Sequence, residues 1–259
     1  MIYLQTEERS FTYNIMKQSN QLNINNVSKI YGKGKKSETN ALSEVSFSLH
    51  DSEITGLIGP NGAGKTTLIR ILMGFENADS GSIEFNGKST LDLEVRDRIG
   101  YQSDLQYRSN SFTVGSYLKF HSVLYGINDI ESRITQLLTE FSLMDAYDKK
   151  LGALSKGMRQ KVELVLAFLN QPELIVLDEP TAALDPPSVF ELRDFIKKYK
   201  QNGATILFSS HHLTEVEKIC DRVIFIDSGK IISDLLVAET EPGFLEEAFR
   251  KYESERRFL

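Results

Sequence analysis

The sequence is short of several things, and each shortage closes a route. It has one cysteine in 259 residues, Cys220, so no disulfide can form within the chain and a reducing compartment is indicated. The expected place for Cys220 is a buried apolar position at a helix end. No apolar run approaches the roughly 18 residues needed to cross a bilayer. "VELVLAFL", Val162 to Leu169, is the longest apolar-rich stretch, and Glu163 interrupts it. The N-terminus, "MIYLQTEERS", carries Glu7 and Glu8 where a secretory signal needs an apolar core. The chain is therefore expected to stay in the cytosol and to reach a membrane only through a partner. Positive charge is not in surplus either. The formal net charge is −6, which argues against nucleic acid as a ligand. The one basic cluster, Lys33, Lys35 and Lys36, reads as a solvated loop. There is no low-complexity tract and no repeat at a solenoid period.

What is present reads as an α/β protein. Residues 1–20 show no period and are expected to form a poorly ordered leader. "LNINNVS" and "EVSFSLH" then alternate apolar and polar side chains, as half-exposed antiparallel strands do. "EITGLIG", "ELIVLD" and "ATILFSS" are continuous apolar runs instead, the mark of strands covered on both faces in a parallel sheet. Helical segments separate them. "PPSVFELRDFIKKYKQNG" begins with Pro and ends with Gly, as helix termini prefer. Residues 21–235 are read as one folded domain, with a helical subdomain inserted at about 105–158. Residues 236–259 follow as a tail, where "GFLEEAFRKYESERR" predicts a charged amphipathic helix.

The chemistry begins at Gly59-Pro60-Asn61-Gly62-Ala63-Gly64-Lys65-Thr66, which fits G-x-x-x-x-G-K-[ST] between an apolar strand and a helix. Its glycines let backbone amides wrap a phosphate at a helix N-terminus. Lys65 is expected on the β- and γ-phosphates, the Thr66 hydroxyl on Mg²⁺, and Thr67 on the α-phosphate. Asp178 ends the buried run "LIVLD" and suits a carboxylate that holds Mg²⁺ through water. Glu179 follows at the strand's mouth, where it can orient or deprotonate a water. His211, after "ATILFSS", reaches the same mouth and can bond the γ-phosphate, while His212 is expected to point elsewhere. A second anion grip, Ser155 and Gly157 in "LSKGMRQ", opens another helix, and the chain has no spare nucleotide loop for it. An ordinary Ser N-cap is compatible with the same residues.

Together "GPNGAGKTT", "LSKGMRQ", "LIVLDEPTAALDP" and "SSHHLTEVEKICDRV" closely resemble the nucleotide-binding subunit of ABC transporters, over about residues 22–227. The resemblance implies a P-loop NTPase core with an antiparallel β subdomain and an inserted helical subdomain. It implies MgATP hydrolysis between two subunits stacked head to tail, so that Ser155 and Gly157 serve the other copy's γ-phosphate. It also implies that Tyr31 stacks on adenine, that Asp185 signals across the dimer, and that a membrane permease is the partner. The family's glutamine after "IGY" falls on Asp104 by gapless alignment, which puts a carboxylate near Mg²⁺; Gln102 lies two residues earlier. Lys156 and Met158 replace the more usual Gly and Gln of the signature. This variant signature and the compact helical insertion resemble the ATPase subunits of bacterial ABC-2-type exporters, peripheral on the cytoplasmic face of the cell membrane.

Rival readings are a soluble non-transport ABC ATPase, a small-molecule kinase and an ATP-gated regulatory subunit. The first would carry a long coiled-coil insertion where this chain has a compact segment. The second would lack the paired Asp178-Glu179 and signature. Intact Glu179 and His211 argue against the third.

Overall fold

The computed structural model describes residues 20–35, 37–103, 110–124, 129–237 and 243–256. The first half runs β1 (Asn20–Tyr31), β2 (Thr39–His50), β3 (Ile54–Ile58), α1 (Lys65–Leu72), β4 (Ser80–Phe85), β5 (Lys88–Ser89), α2 (Leu93–Arg96), β6 (Ile99–Gln102), α3 (Val114–Leu124) and α4 (Ile130–Glu140). Then come α5 (Lys156–Ala167), β7 (Leu174–Asp178), α6 (Pro186–Gln201), β8 (Thr205–Ser210), α7 (Leu213–Ile219), β9 (Arg222–Asp227), β10 (Lys230–Leu236) and α8 (Phe244–Arg256).

These strands form two sheets. The four-stranded one has the order β2-β1-β4-β5 and is antiparallel. The six-stranded one has the order β10-β9-β3-β8-β7-β6. Its strands from β9 to β6 run parallel, and β10 closes one edge antiparallel. The continuous apolar runs are explained by what lies on each face of this sheet. Ile54 and Ile58, Ile175 and Leu177, and Ile206 and Phe208 enter one core together with α3 to α7. Leu57, Val176 and Leu207 point the other way, into a second core shared with α1 and the antiparallel sheet. Successive strand residues face opposite sides, so a sheet between two cores must be apolar at every position.

The helical stretch after β6 is more broken than its periodicity predicts. α4 stops at Glu140, because Ser142 adopts a left-handed φ of 53° and turns Phe141 and Leu143 into the core. Two 3-10 turns, Met144–Ala146 and Leu151–Ala153, lead from there to α5. α6 follows its sequence signals. Asp185 caps it by accepting the Ser188 N–H at 3.1 Å, Pro186 opens it, and Gly203 with φ 98° follows its end.

α8 is anchored rather than free. Its first turn is capped from α7, where Glu217 accepts the backbone N–H groups of Gly243 and Leu245 at 3.3 and 3.0 Å. Leu245 is fully buried, and the Tyr252 hydroxyl donates to Asp227 at 2.7 Å. Cys220 ends α7 in a buried position, and that burial raises its thiol pKa. Lys33 and Lys35 are exposed, and Lys36 lies outside the described residues.

Candidate functional site

The parallel strands end at one mouth, where β3 turns into α1 through Gly59 to Gly64. Two glycines there are required by geometry. A Cβ on Gly59 would lie 2.1 Å from the Ile226 carbonyl oxygen, and Gly64 caps α1 at a left-handed φ of 110°. No side chain caps α1, so its first N–H groups are left to a ligand. They face a cavity of about 480 Å³ lined by Tyr31, Thr39 to Ala41, Asn61 to Thr67, Glu179, Ala182 and His211. A volume of that size suits a nucleotide-sized ligand.

Inside this cavity a charged chain crosses from one strand end to the next. Lys65 is buried and donates to the Gly59 and Pro60 carbonyl oxygens at 2.6 and 3.3 Å. Its ammonium also lies 3.6 Å from Glu179 Oε1. The other Glu179 oxygen meets His211 Nδ1 at 2.8 Å. While Glu179 is ionised, Nδ1 carries the proton in that bond and Nε2 of a neutral ring is an acceptor. Glu179 itself sits at a left-handed φ of 50°, which swings its side chain out of the β7 line. Such a conformation costs on the order of 1 kcal/mol and is concentrated at functional sites.

Asp178 is buried directly behind it. Ser209 joins the two acids: its Oγ donates to Asp178 Oδ1 at 2.7 Å and accepts the Glu179 N–H at 3.1 Å. Ser209 stands in "SSHH" in register with Asp178 across β7 and β8, and no sequence motif marks its role. Nor does any motif mark Thr39, Asn40 and Ala41.

A hydroxyl at Thr66, exposed in the cavity, and a carboxylate at Asp178 are hard oxygen donors. They suit Mg²⁺, which takes few protein ligands and completes its shell with water and phosphate. Among the described residues no three His, Cys, Asp or Glu side chains form a self-sufficient metal cluster. Asp104 lies outside the described residues. Gln102 is fully buried at the end of β6, where its Nε2 donates to the Ser103 carbonyl oxygen.

Tyr31 stands at the cavity rim, 37% exposed, with its hydroxyl bonded to Glu76. Ser155 and Gly157 do not line this cavity. Ser155 caps α5 by accepting the Met158 N–H at 3.2 Å. Gly157 packs under the loop after Glu179, where a Cβ would lie 2.8 Å from the Ala183 carbonyl oxygen. Gln160 braces the same loop by donating to the Pro180 carbonyl oxygen at 3.3 Å. Asp185 is likewise off the cavity, and its bonds from Ser188 hold its carboxyl below the usual range. His212 precedes α7, its ring 4.0 Å from that of His211.

Comparison with known proteins gives a consistent result. The profile of the ABC transporter family matches residues 42–182. The chain is 38% identical over 206 residues to the ABC transporter ATP-binding protein NatA of Bacillus subtilis, covering 76% of this chain and 82% of that one. It is 35% identical over 222 residues to the SkfA peptide export ATP-binding protein SkfE of the same organism, covering 85% and 91%. A solved ATP-binding subunit of an ABC transporter superposes with a TM-score of 0.76 at 31% identity, covering 83% of this chain and 90% of that one. With its P-loop, its acid pair and its sheet order all placed at one mouth, the chain belongs to the ABC transporter family as a nucleotide-binding, ATP-hydrolysing subunit.

Proposed function

We propose that two copies of this ATPase stack head to tail, hydrolyse MgATP between them, and drive an export permease from the cytoplasmic face of the membrane. The observation that carries the hydrolytic half is the Lys65–Glu179–His211 chain across the cavity. Lys65 neutralises the acid that is to direct water. An arriving triphosphate competes for that ammonium with two carbonyl oxygens and a carboxylate. Once Lys65 turns to the phosphates, Glu179 is free to accept a proton from water. The water oxygen then bonds to the γ-phosphorus as its bond to the β,γ-bridging oxygen breaks, and ADP and phosphate leave. Thr66 and Asp178 would hold the metal ion, which supplies neutralising charge on the phosphates when bound. For His211 to donate to the γ-phosphate through Nε2, the ring must gain a second proton or let go of Glu179 through Nδ1.

The dimer reading is supported by where the signature stands. Ser155 caps its own helix with a lone pair and keeps its O–H to donate, yet the cavity of its own chain is elsewhere. ABC ATP-binding subunits work as dimers with membrane permeases. For the permease, exposed aromatic rings offer apolar footing: Phe75, which rests on the half-buried Tyr101 at 5.5 Å, and the pair Phe112 and Phe120 at 6.1 Å. No described helix is long and apolar enough to cross a membrane, so attachment comes through that partner. Export is favoured by the likeness to SkfE.

Mixing two inactive variants, Lys65→Ala and Ser155→Arg, tests the shared site. In a mixed pair one pocket combines an intact P-loop with an intact signature, so ATPase activity is expected to return. A mixture that stays inactive although the variants fold and associate would refute head-to-tail sharing.

A further inference from the structure

Away from the acid chain, a second cluster stands behind Tyr31 at the rim of the cavity. It begins with the way α1 ends. Gly74 takes a left-handed φ of 68°, and a Cβ there would lie 2.1 Å from the Arg96 guanidinium. The turn is tight enough that Phe75 and Glu76 both donate their N–H groups to the Arg70 carbonyl oxygen, at 2.9 and 3.3 Å. Glu76 is thereby folded back along α1. Its Oε1 accepts from Arg70 Nε at 2.6 Å, and its Oε2 accepts the Tyr31 hydroxyl. One carboxylate thus bridges the helix that starts at the P-loop and the ring at the cavity rim.

The strand carrying Tyr31 is pinned beside it. Lys29 donates to the Asn77 carbonyl oxygen at 2.6 Å, and Asp79 Oδ2 accepts the Ile30 N–H at 2.6 Å. The Lys29 ammonium lies 5.6 Å from the Tyr31 ring centroid, so one face of the ring is backed by a cation. The titration pattern agrees with this wiring. Burial, then the bond to Glu76, raises the Tyr31 pKa, against a smaller lowering by Thr67 of α1. Burial also works to raise the Glu76 carboxyl, but the bonds from Tyr31 and Arg70 and the Arg70 charge outweigh it and leave it below its ordinary value.

We propose that Glu76 is a positioning residue for the nucleotide base: it fixes the Tyr31 ring through its hydroxyl and ties that ring to α1 through Arg70, so that base platform and phosphate cradle move as one piece. This rests on the reading of Tyr31 as the residue that stacks on adenine. A stacking ring held by two contacts has less rotamer freedom to lose when the base arrives. Because α1 also carries Lys65, Thr66 and Thr67, the clamp sets the span between base and phosphates.

The experiment compares ATP with inorganic tripolyphosphate, which lacks the base, by calorimetry on the full chain. Tyr31→Ala should weaken ATP by roughly 5- to 100-fold, the range of aromatic–base stacking, and leave tripolyphosphate unchanged. Glu76→Ala and Tyr31→Phe should each weaken ATP by a smaller factor, about 3- to 10-fold, the range of one ordinary hydrogen bond, because the lost bond holds the ring and not the ligand. Tripolyphosphate should again be unchanged. The double variant Tyr31→Phe/Glu76→Ala should be no worse than Tyr31→Phe alone, since without the hydroxyl Glu76 has nothing left to hold on the ring. Glu76→Gln, whose amide oxygen still accepts the hydroxyl, should recover most of the affinity. If Tyr31→Ala lowers the ATP-to-tripolyphosphate ratio while Glu76→Ala and Tyr31→Phe leave it at the wild-type value, the clamp is refuted and the platform stands. If Tyr31→Ala leaves the ratio unchanged, the platform reading itself falls. Equal weakening of both ligands by Glu76→Ala would mean a general support of α1, which also overturns the proposal. Tyr31→Phe removes only a hydroxyl, so it keeps the test decisive if Glu76→Ala folds poorly.

Discussion

Helices α1 and α5 both open with a small-residue anion grip, yet they are prepared in opposite ways. α1 begins at Gly64 with no side-chain cap, and the charge it buries, Lys65, has two carbonyl oxygens and an acid as partners. α5 begins at Ser155, whose hydroxyl oxygen already accepts the Met158 N–H. The charge-bearing group it buries, Glu163, is 4% exposed, and its Oε1 has no partner among the described residues. Burial pushes the Glu163 carboxyl up to about 9. The first helix is held open for an anion by its own chain. The second is closed on itself and carries a neutral acid in its core. The two halves of the proposed shared site are therefore unequal at rest, and the uncapped half is the one expected to bind first.

The comparison can be broken at four places. The largest effect belongs to the acid opposite α1. Glu179→Gln should lower ATP turnover by about 10²- to 10⁴-fold, the usual contribution of a positioned base, while ATP still binds and a dimer accumulates. A colorimetric phosphate assay and size-exclusion chromatography read these outcomes, and near-normal turnover would remove Glu179 from the chemistry. Next, Lys65→Ala takes the paired cation from α1 and should weaken ATP by about 2–5 kcal/mol, the range for truncating one member of a buried charge pair. Unchanged affinity in calorimetry would contradict the P-loop reading.

Glu163 tests the buried acid of α5. Its folded pKa is raised, so below about pH 4.5 folded and unfolded chains are both protonated. Between about 4.5 and 9 only the unfolded chain releases the proton. Stability should therefore fall with rising pH through that window, by at most about 1.4 kcal/mol per unit. Glu163→Gln should flatten the dependence between pH 6 and 8 in urea titrations, and an equally steep variant would refute the assignment. The smallest change is Ser155→Ala. Loss of an N-cap should cost about 1 kcal/mol of stability and leave ATP affinity of the monomer at the wild-type value. A large loss of monomer affinity would mean that α5 serves its own chain's nucleotide.

Much of this was legible along the sequence because it depends on neighbours in the chain. The P-loop needs glycines at set spacing before a helix, and the structure puts Gly59 and Gly64 where a side chain would collide or strain. The runs around Leu57, Val176 and Leu207 announced strands covered on both faces, and each lies between two cores. Pro186 announced the start of α6, whereas the cap that Asp185 supplies there came only with the structure. The helical period failed at Ser142, since a single left-handed residue ends a helix without disturbing the apolar pattern. Ser209 gave no signal of its own, because its role comes from standing beside Asp178 on a strand distant in sequence.

The order of residues alone determined the α/β alternation, the phosphate loop and the acids that follow a buried strand, since each rests on side-chain period or on backbone conformation within a few residues. Only the folded chain decided that Glu179 lies between Lys65 and His211, that Gly157 lies under Ala183, and that Glu76 grips Tyr31. Those contacts join segments tens of residues apart. They exist because the sheet order brings β3, β7 and β8 to one mouth, and because α1 shares a core with the antiparallel sheet that carries Tyr31. Hydrogen bonds and ion pairs act over a few ångströms, so local pattern cannot name the partner that topology delivers.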